Sequence, residues 1–121
     1  RVGGGGGGMS AEEVAQAFVR HYYGTLDQGQ DLSTLYRDTS CLSFEGAGFQ
    51  GAARIVEKLR SLGPVAHNPT SVDVQPSITD QAMLIFVSGQ VRIGGDNPVL
   101  FTEMFQLVST GPGTFYVQNQ I

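Results

Sequence analysis

The sequence has little cysteine and no long apolar run, and each of these absences excludes a class of protein. The single cysteine, Cys41, excludes an internal disulfide and a zinc site built on several thiolates. No apolar stretch approaches the roughly 18 residues of a membrane-spanning helix, and no charged and apolar leader precedes the domain. We therefore expect a soluble protein of the reducing cell interior, with no membrane partner.

Basic residues are also scarce. Seven lysines and arginines stand against eleven acids, which gives a formal net charge of −4. A protein that binds nucleic acid by neutralising phosphates needs a basic surface, so we expect no nucleic-acid partner. Hydrophobic residues make up 40% of the chain and charged residues 15%, a balance that predicts a folded domain rather than a disordered chain.

The chain divides into a short leader and one domain. Residues 1–8 read RVGGGGGG, and such a glycine run behaves as a flexible coil. We assign residues 1–9 to this leader and residues 10–121 to a single domain, whose length is typical of one hydrophobic core.

The first half of the domain has helical patterns. The sequence Ser10-Ala11-Glu12-Glu13 is a capping box, and apolar residues recur at helical spacing from there to about Asp27. A short second helix is predicted over residues 31–36. Residues 40–44 alternate as a strand, and a third helix is predicted over residues 51–62, before the stop signal of Gly63-Pro64.

From Thr70 onward the pattern becomes that of strands. Alternating or continuous apolar runs predict strands around residues 72–74 and over residues 82–93, 99–109 and 114–121. Three helices followed by antiparallel strands predict an α+β fold, in which the helices pack on the concave face of one curved sheet and leave a cone with an open mouth.

The strand over residues 99–109 has apolar side chains on both faces. Alternation places Phe101, Glu103, Phe105 and Leu107 on one face. The opposite face is not uniformly polar either, so we expect both faces to be at least partly covered. The helices cover one face, and a second copy of the chain is the simplest cover for the other, which predicts a homodimer.

Several segments, in order along the domain, resemble the nuclear transport factor 2 family. They are AFVRHYY at residues 17–23, LSFEG at 42–46, FQG at 49–51, IVEKLRSL at 55–62, DVQP at 73–76, SGQ at 88–90 and FYVQNQI at 115–121. The resemblance runs from about Ser10 to the end and implies a cone of three helices and a mixed, mainly antiparallel sheet, of the cystatin-like roll type.

The resemblance also implies a function. Members of this family are homodimeric carriers that bind the GDP form of the small GTPase Ran and the phenylalanine-glycine repeats of nucleoporins. They move between cytoplasm and nucleus through the pores of the nuclear envelope and return Ran to the nucleus. No catalysis, cofactor or metal is implied.

In this family an apolar cavity at the mouth of the cone receives an aromatic side chain of Ran, and acids at the rim pair with basic residues of Ran. Phe44 stands at the position of the aromatic cavity wall, and Glu45 at that of the acid that meets a lysine. His67 stands at the rim histidine. Asp96 is the acid that remains in a loop where the animal pattern has two.

Two features of the sequence depart from the family pattern. The animal proteins bind the nucleoporin repeats with a tryptophan near the first helix, where this chain has Ala11, so the repeat-binding site stays unassigned. The family's last strand continues with a phenylalanine that helps to line the cavity, whereas the present sequence has Ile121 as its last residue.

Each candidate residue also has an interpretation without function. Phe44 fits ordinary core packing, Glu45 a solvated strand end and His67 a plain loop histidine. Asp96 lies in a Gly-Gly-Asp-Asn turn that turn chemistry explains by itself.

Two other functions remain open. The same cone hosts isomerases and dehydratases that act on small apolar substrates, for which Asp38, Tyr36, His21 and His67 would be the candidate residues. Alternatively, the domain is an adaptor of a larger protein that binds short phenylalanine-containing peptides.

Overall fold

The computed structural model describes residues 10–121, so the leader predicted at residues 1–9 lies outside the described residues. The described chain contains two α-helices, one 3₁₀ helix and six strands. Their bounds are α1 Ala11–Asp27, the 3₁₀ helix Ser33–Leu35, β1 Tyr36–Phe44, β2 Ala47–Gln50, α2 Ala52–Arg60, β3 Val65–Pro76, β4 Ala82–Ile93, β5 Val99–Gly111 and β6 Thr114–Gln120.

The predicted start of the first helix is confirmed. The backbone N–H of Glu13 donates to Ser10 Oγ at 3.2 Å, and the backbone N–H of Ser10 donates to Glu13 Oε1 at 2.9 Å. This reciprocal pair satisfies two backbone donors that a helix start leaves free. The helix then buries one face, formed by Ala15, Phe18, Val19, Tyr22 and Tyr23.

The predicted second helix is wrong in kind, so the number of α-helices is two rather than three. Residues 33–35 form a single 3₁₀ turn, and Tyr36 is already extended, with φ −119° and ψ 159°. A helix this short gains too few hydrogen bonds to offset its nucleation, whereas the extended backbone lets the Tyr36 hydroxyl reach Gln120 at 2.6 Å. Asp38, expected at the end of that helix, lies exposed in β1.

One strand was not predicted. After Phe44 the chain reverses through Glu45 and Gly46, and β2 pairs with β1 from Phe44 opposite Ala47 to Cys41 opposite Gln50. The short β2 has no buried side chain, so it lacks the apolar signal on which strand prediction depends.

The sheet is mixed and has one continuous order, β2-β1-β6-β5-β4-β3. Strands β1 and β6 pair in parallel, and the other neighbours are antiparallel. The α+β class is therefore confirmed. No helix within residues 10–121 has both the length and the apolar character needed to cross a membrane.

The helices cover one face of the sheet, where the core lies. Phe105 and Leu107 are completely buried there against α1 and α2, together with Ile85 and Val87 of the neighbouring strand. The opposite face of the single chain is open, and Phe86 on that face is 44% exposed. Burial of one face of β5 is as expected, whereas cover of the other face by a second copy stays a prediction.

A bulge in β3 sets the register of the sheet close to His67. Pro69 pairs with Gly89 and Ser71 with Ser88, so Thr70 is the extra residue. The two strands approach closely at this point, because a Cβ on Gly89 would lie 2.3 Å from the carbonyl oxygen of Asn68 and 2.8 Å from the Cα of Pro69. Only a glycine fits here without moving backbone.

We therefore predict that Gly89→Ala lowers the free energy of unfolding by about 1–3 kcal/mol, the usual cost of forcing extra atoms into a packed site. Chemical denaturation would measure the change. Gly48→Ala is the matched control, since a Cβ added to that strand glycine would have no heavy atom within 4 Å beyond its chain neighbours. Equal stability of the two variants would show that the bulge adjusts to the extra methyl group.

Candidate functional site

A cavity of about 260 Å³ opens at one end of the fold, between the C-terminal ends of the two α-helices and the sheet. We call it the mouth cavity. Its walls are mainly aliphatic and aromatic, formed by Leu26, Leu42, Phe44, Leu59, Leu62, Val65, Val91, Ile93, Phe101 and Ile121. Its polar lining comes from Ser43, Glu45, His67, Thr102 and Glu103. A concave apolar site with a few polar groups is typical of binding sites.

The mouth cavity brings together three of the four predicted site residues. Phe44, Glu45 and His67 line it, although they come from β1, the following turn and β3. Asp96 does not line it. That aspartate is exposed in the loop between β4 and β5, and its backbone N–H donates to the carbonyl of Ile93 at 3.1 Å, so turn chemistry accounts for its position.

Glu45 occupies a backbone conformation that favours other residue types. Its φ is +49°, and within residues 10–121 it is the one residue other than glycine with a positive φ. Together with Gly46, at φ +86°, it forms the two-residue connection of the hairpin. Such turns favour asparagine, aspartate or glycine. Local structure therefore does not explain a glutamate here, and its carboxylate is free to act at the rim of the cavity.

Phe44 is held in the cavity wall by a contact from α2. The Lys58 ammonium nitrogen lies 4.8 Å from the centroid of the Phe44 ring and 5.8 Å from that of Phe49. A cation over an aromatic face is attracted to the electron-rich ring. This contact joins the hairpin to the helix and fixes one wall of the mouth cavity.

His67 is positioned by the last residue of α1. Its backbone N–H donates to Asp27 Oδ2 at 2.6 Å, and its ring nitrogen Nδ1 lies 2.7 Å from Asp27 Oδ1. Because a carboxylate only accepts hydrogen bonds, Nδ1 carries the proton in this pair. The ring packs between Tyr23, at 4.6 Å between centroids, and Phe101, at 5.1 Å. His67 is therefore a fixed wall of the cavity rather than a loop side chain.

Glu103 also lines the mouth cavity, although the sequence analysis did not select it. This half-buried carboxylate accepts hydrogen bonds from the Tyr23 hydroxyl at Oε1 and from Gln120 Nε2 at Oε2, both at 2.5 Å. Burial raises the pKa of Glu103, while the two hydrogen bonds and the nearby His67 oppose the shift. A signal was present in the sequence, since Glu103 is the charged residue in the apolar row that contains Phe101, Phe105 and Leu107.

Behind Glu103 lies a buried polar network. Tyr36 donates to Gln120 Oε1 at 2.6 Å, and Gln120 Nε2 also donates to the Tyr22 hydroxyl at 2.8 Å. Burial raises the pKa of both Tyr22 and Tyr36, so both phenols stay protonated. Because the Tyr36 proton is donated to Gln120, Tyr22 donates to the Tyr36 hydroxyl at 3.1 Å. The chain of hydrogen bonds fixes the direction in which the Gln120 amide faces Glu103.

The residues considered for an enzyme are not assembled. His67 lines the mouth cavity, but Tyr36 lies behind Gln120 in the core and Asp38 is exposed on β1. His21 lines a separate groove between α1 and the hairpin of β5 and β6. Within residues 10–121, no group of three or more histidine, cysteine or acidic side chains is arranged to hold a metal ion.

Sequence comparison relates the chain to one family. The sequence model of the nuclear transport factor 2 (NTF2) domain matches residues 14–121. The chain is 51% identical over 118 residues to nuclear transport factor 2 of Oryza sativa subsp. japonica, covering 93% of this chain and 95% of the rice protein. It is 44% identical over 117 residues to nuclear transport factor 2B of Arabidopsis thaliana, covering 93% of each.

Structural comparison gives the same result. The structure of nuclear transport factor 2 from Cryptosporidium parvum matches with a TM-score of 0.83 at 36% sequence identity, covering 91% of this chain and 90% of that chain.

Because the pKa of Glu103 is raised, its contribution to the free energy of unfolding depends on pH. A carboxyl whose pKa is higher in the folded state than in the unfolded state removes stability as pH rises above its ordinary value of 4.5. We therefore expect Glu103→Gln to gain stability relative to the parent chain as pH rises from below 4.5 to neutral. Chemical denaturation of both proteins across this range measures the gain.

Glu13→Gln is the matched control, because hydrogen bonds from Ser10 lower the pKa of Glu13. Its stability relative to the parent chain should change with pH in the opposite direction. The same pH dependence in both variants would contradict the assigned environment of Glu103.

Proposed function

The chain belongs to the nuclear transport factor 2 family and so has a role in nuclear transport, and we propose that it fulfils this role as a homodimeric carrier of Ran. In this proposal residues 10–121 are one domain that binds the GDP form of Ran in the cytoplasm, contacts phenylalanine-glycine repeats of nucleoporins at the nuclear pores, and returns Ran to the nucleus.

The observation that carries the proposal is the mouth cavity with an acid at its rim. An aromatic side chain of Ran would enter between Phe44 and the ring of His67, both of which line the cavity. Glu45 would meet a lysine of Ran beside it. A buried aromatic anchor surrounded by charges that orient the partner is the usual design of a binding hot spot.

Asp96 has a different part in this proposal. It lies in the exposed loop after β4, three residues beyond the cavity residue Ile93, and so adds negative charge near the opening without lining it. Charges at the edge of an interface act mainly on the rate of association. We therefore assign Asp96 to steering a basic partner, and Phe44, Glu45 and His67 to direct contact.

The proposal is one of binding rather than catalysis. The close relatives are named as transport factors and not as enzymes. Both oxygens of Glu103, the half-buried carboxyl that lines the cavity, already accept hydrogen bonds from Tyr23 and Gln120. Since the other residues considered for an enzyme lie apart, a binding role agrees better with the geometry.

The open face of the sheet supports the proposed homodimer. Phe86 on β4 is paired with Met104 on β5, and Phe86 and Leu100 are 44% and 84% exposed in the single chain. Exposed apolar side chains on one face of a sheet are characteristic of a surface that another protein covers. A second copy would cover this face with identical residues.

The groove between α1 and the hairpin of β5 and β6, which His21 lines, is a candidate for the phenylalanine side chains of the nucleoporin repeats. It has a volume of about 530 Å³, and its apolar lining includes Val14, Phe18, Leu35 and Phe115. The same groove is the observation that favours an adaptor of phenylalanine-containing peptides as the second candidate function. Only the carrier requires discrimination between the nucleotide states of Ran.

We predict that the chain binds Ran loaded with GDP and not Ran loaded with a GTP analogue, measured by calorimetric titration at modest salt so that rim charges are not screened. Equal binding to both forms would rule out the carrier. Binding to neither form, together with binding of phenylalanine-containing peptides, would favour the adaptor.

Glu45→Lys should lower the affinity for GDP-bound Ran by about tenfold or more, because it places a like charge against the lysine of the partner. The same titration measures the loss. Glu57→Lys is the control, since it makes the same change in charge at an exposed position of α2 that does not line the cavity. An equal loss in both variants would mean that net charge, and not the rim contact, controls binding.

Phe86→Arg should convert the dimer into a folded monomer, because a guanidinium on the sheet face would meet its own copy across the interface. Light scattering measures the mass, and circular dichroism verifies the fold. Gln16→Arg adds the same charge on the exposed side of α1 and should leave the dimer intact. A parent chain that is monomeric at high concentration would contradict the homodimer itself.

A further inference from the structure

We propose that the mouth cavity is also a binding site for a small arylalkylammonium ligand, which is a single aromatic ring with a protonated amine on a short chain. The inference goes beyond the proposed carrier function, since it concerns a small molecule rather than a protein partner. It rests on the size of the cavity, on its aromatic walls and on the carboxylate of Glu103, which we call the floor of the cavity.

The volume and the walls of the cavity determine the size and the aromatic character of the ligand. An apolar cavity of about 150 Å³ is large enough to bind benzene, so the 260 Å³ of the mouth cavity accept one ring and a short chain. Phe44, Phe101 and His67 present three ring systems to this space. Aromatic rings pack favourably in offset or edge-to-face arrangements and also attract cations over their faces.

The carboxylate of Glu103 determines which charge of ligand the cavity favours. Within residues 10–121 the ion pairs are Arg60 with Asp31 and His67 with Asp27, so Glu103 is in no ion pair. The nearby basic group that lowers its pKa is His67, whose ring nitrogen Nδ1 is already bonded to Asp27. A half-buried carboxylate that is not neutralised by the protein attracts a cation from outside. A neutral ligand would leave this charge uncompensated, and an anionic ligand would be repelled.

The hydrogen-bond network leaves Glu103 able to accept from a ligand. Tyr23 and Gln120 each use one oxygen of the carboxylate, and each carboxylate oxygen has a second lone pair. Tyr36 donates to Gln120 Oε1, so the amide cannot rotate without losing that bond. The acceptor is therefore held in place at the floor, and an ammonium group with three donors matches it.

If the proposed carrier function is correct, this ligand and the aromatic side chain of Ran occupy the same cavity and compete. A small cation would then regulate loading of the carrier. That consequence rests on the proposed function, whereas binding of the ligand to the isolated chain does not.

The test uses three probes of similar size and different charge, titrated at mildly alkaline pH so that Glu103 is ionised. The probes are 2-phenylethylammonium, neutral 2-phenylethanol and anionic 3-phenylpropionate, followed by nuclear magnetic resonance shifts of the full chain. We expect the ammonium to bind about tenfold more tightly than the alcohol or more, with the largest shifts at cavity residues. Equal affinity for ammonium and alcohol would overturn the proposal.

Two variants locate the charge that causes the preference. Glu103→Gln should retain binding of 2-phenylethanol and lose the preference for the ammonium, and binding of the alcohol verifies that the cavity is intact. Glu57→Gln removes an acid at an exposed position of α2 that does not line the cavity and should retain the preference. A preference that survives in Glu103→Gln, or disappears in Glu57→Gln, would overturn the assignment to Glu103. Ran is absent from these titrations, so their failure is distinguishable from failure of the carrier proposal.

Discussion

The amide of Gln120 is the interaction on which the candidate site depends most. This side chain is almost completely buried, and it connects Tyr36 of β1, Tyr22 of α1 and Glu103 of β5. An amide with one acceptor and one donor group is the smallest unit that satisfies these neighbours in the observed directions. Among residues 10–121, no buried side-chain nitrogen or oxygen lacks a partner, so the network is closed.

A series of direct contacts connects this buried network to the walls of the mouth cavity. Glu103 is held by Gln120 on one side and by Tyr23 on the other, and the Tyr23 ring stacks on His67. His67 in turn is bonded to Asp27 at the end of α1. Buried polar groups with a single satisfied arrangement favour one geometry over others. The walls of the mouth cavity at His67 and Glu103 are therefore held in place by contacts within the chain itself.

The predictable parts of the structure are those with periodic or local signals. The capping box at Ser10 and Glu13, the strand Ala82–Ile93 and the α+β class follow from capping and periodicity. The 3₁₀ turn before Tyr36 was not predicted, because it depends on the tertiary hydrogen bond from Tyr36 to Gln120. The strand β2 was not predicted either, because this edge strand has no periodic apolar pattern. Asp27, the partner of His67, is 40 residues distant along the chain, and the two partners of Glu103 are 17 and 80 residues distant. Pattern reasoning does not cover such separations. Only the resemblance to a family pointed to Phe44, Glu45 and His67 together.

Two carboxylates of the mouth cavity stand where local structure favours another residue. Glu45 has a positive φ that glycine or asparagine adopts more readily. Glu103 lies in an apolar row, where burial raises its pKa and it forms no ion pair with a cation of the described chain. Both residues line the same cavity. An acid that destabilises its own surroundings is expected where a partner supplies the compensating charge. In the proposed carrier function a basic partner supplies that charge to Glu45, and in the proposed ligand site a small cation supplies it to Glu103.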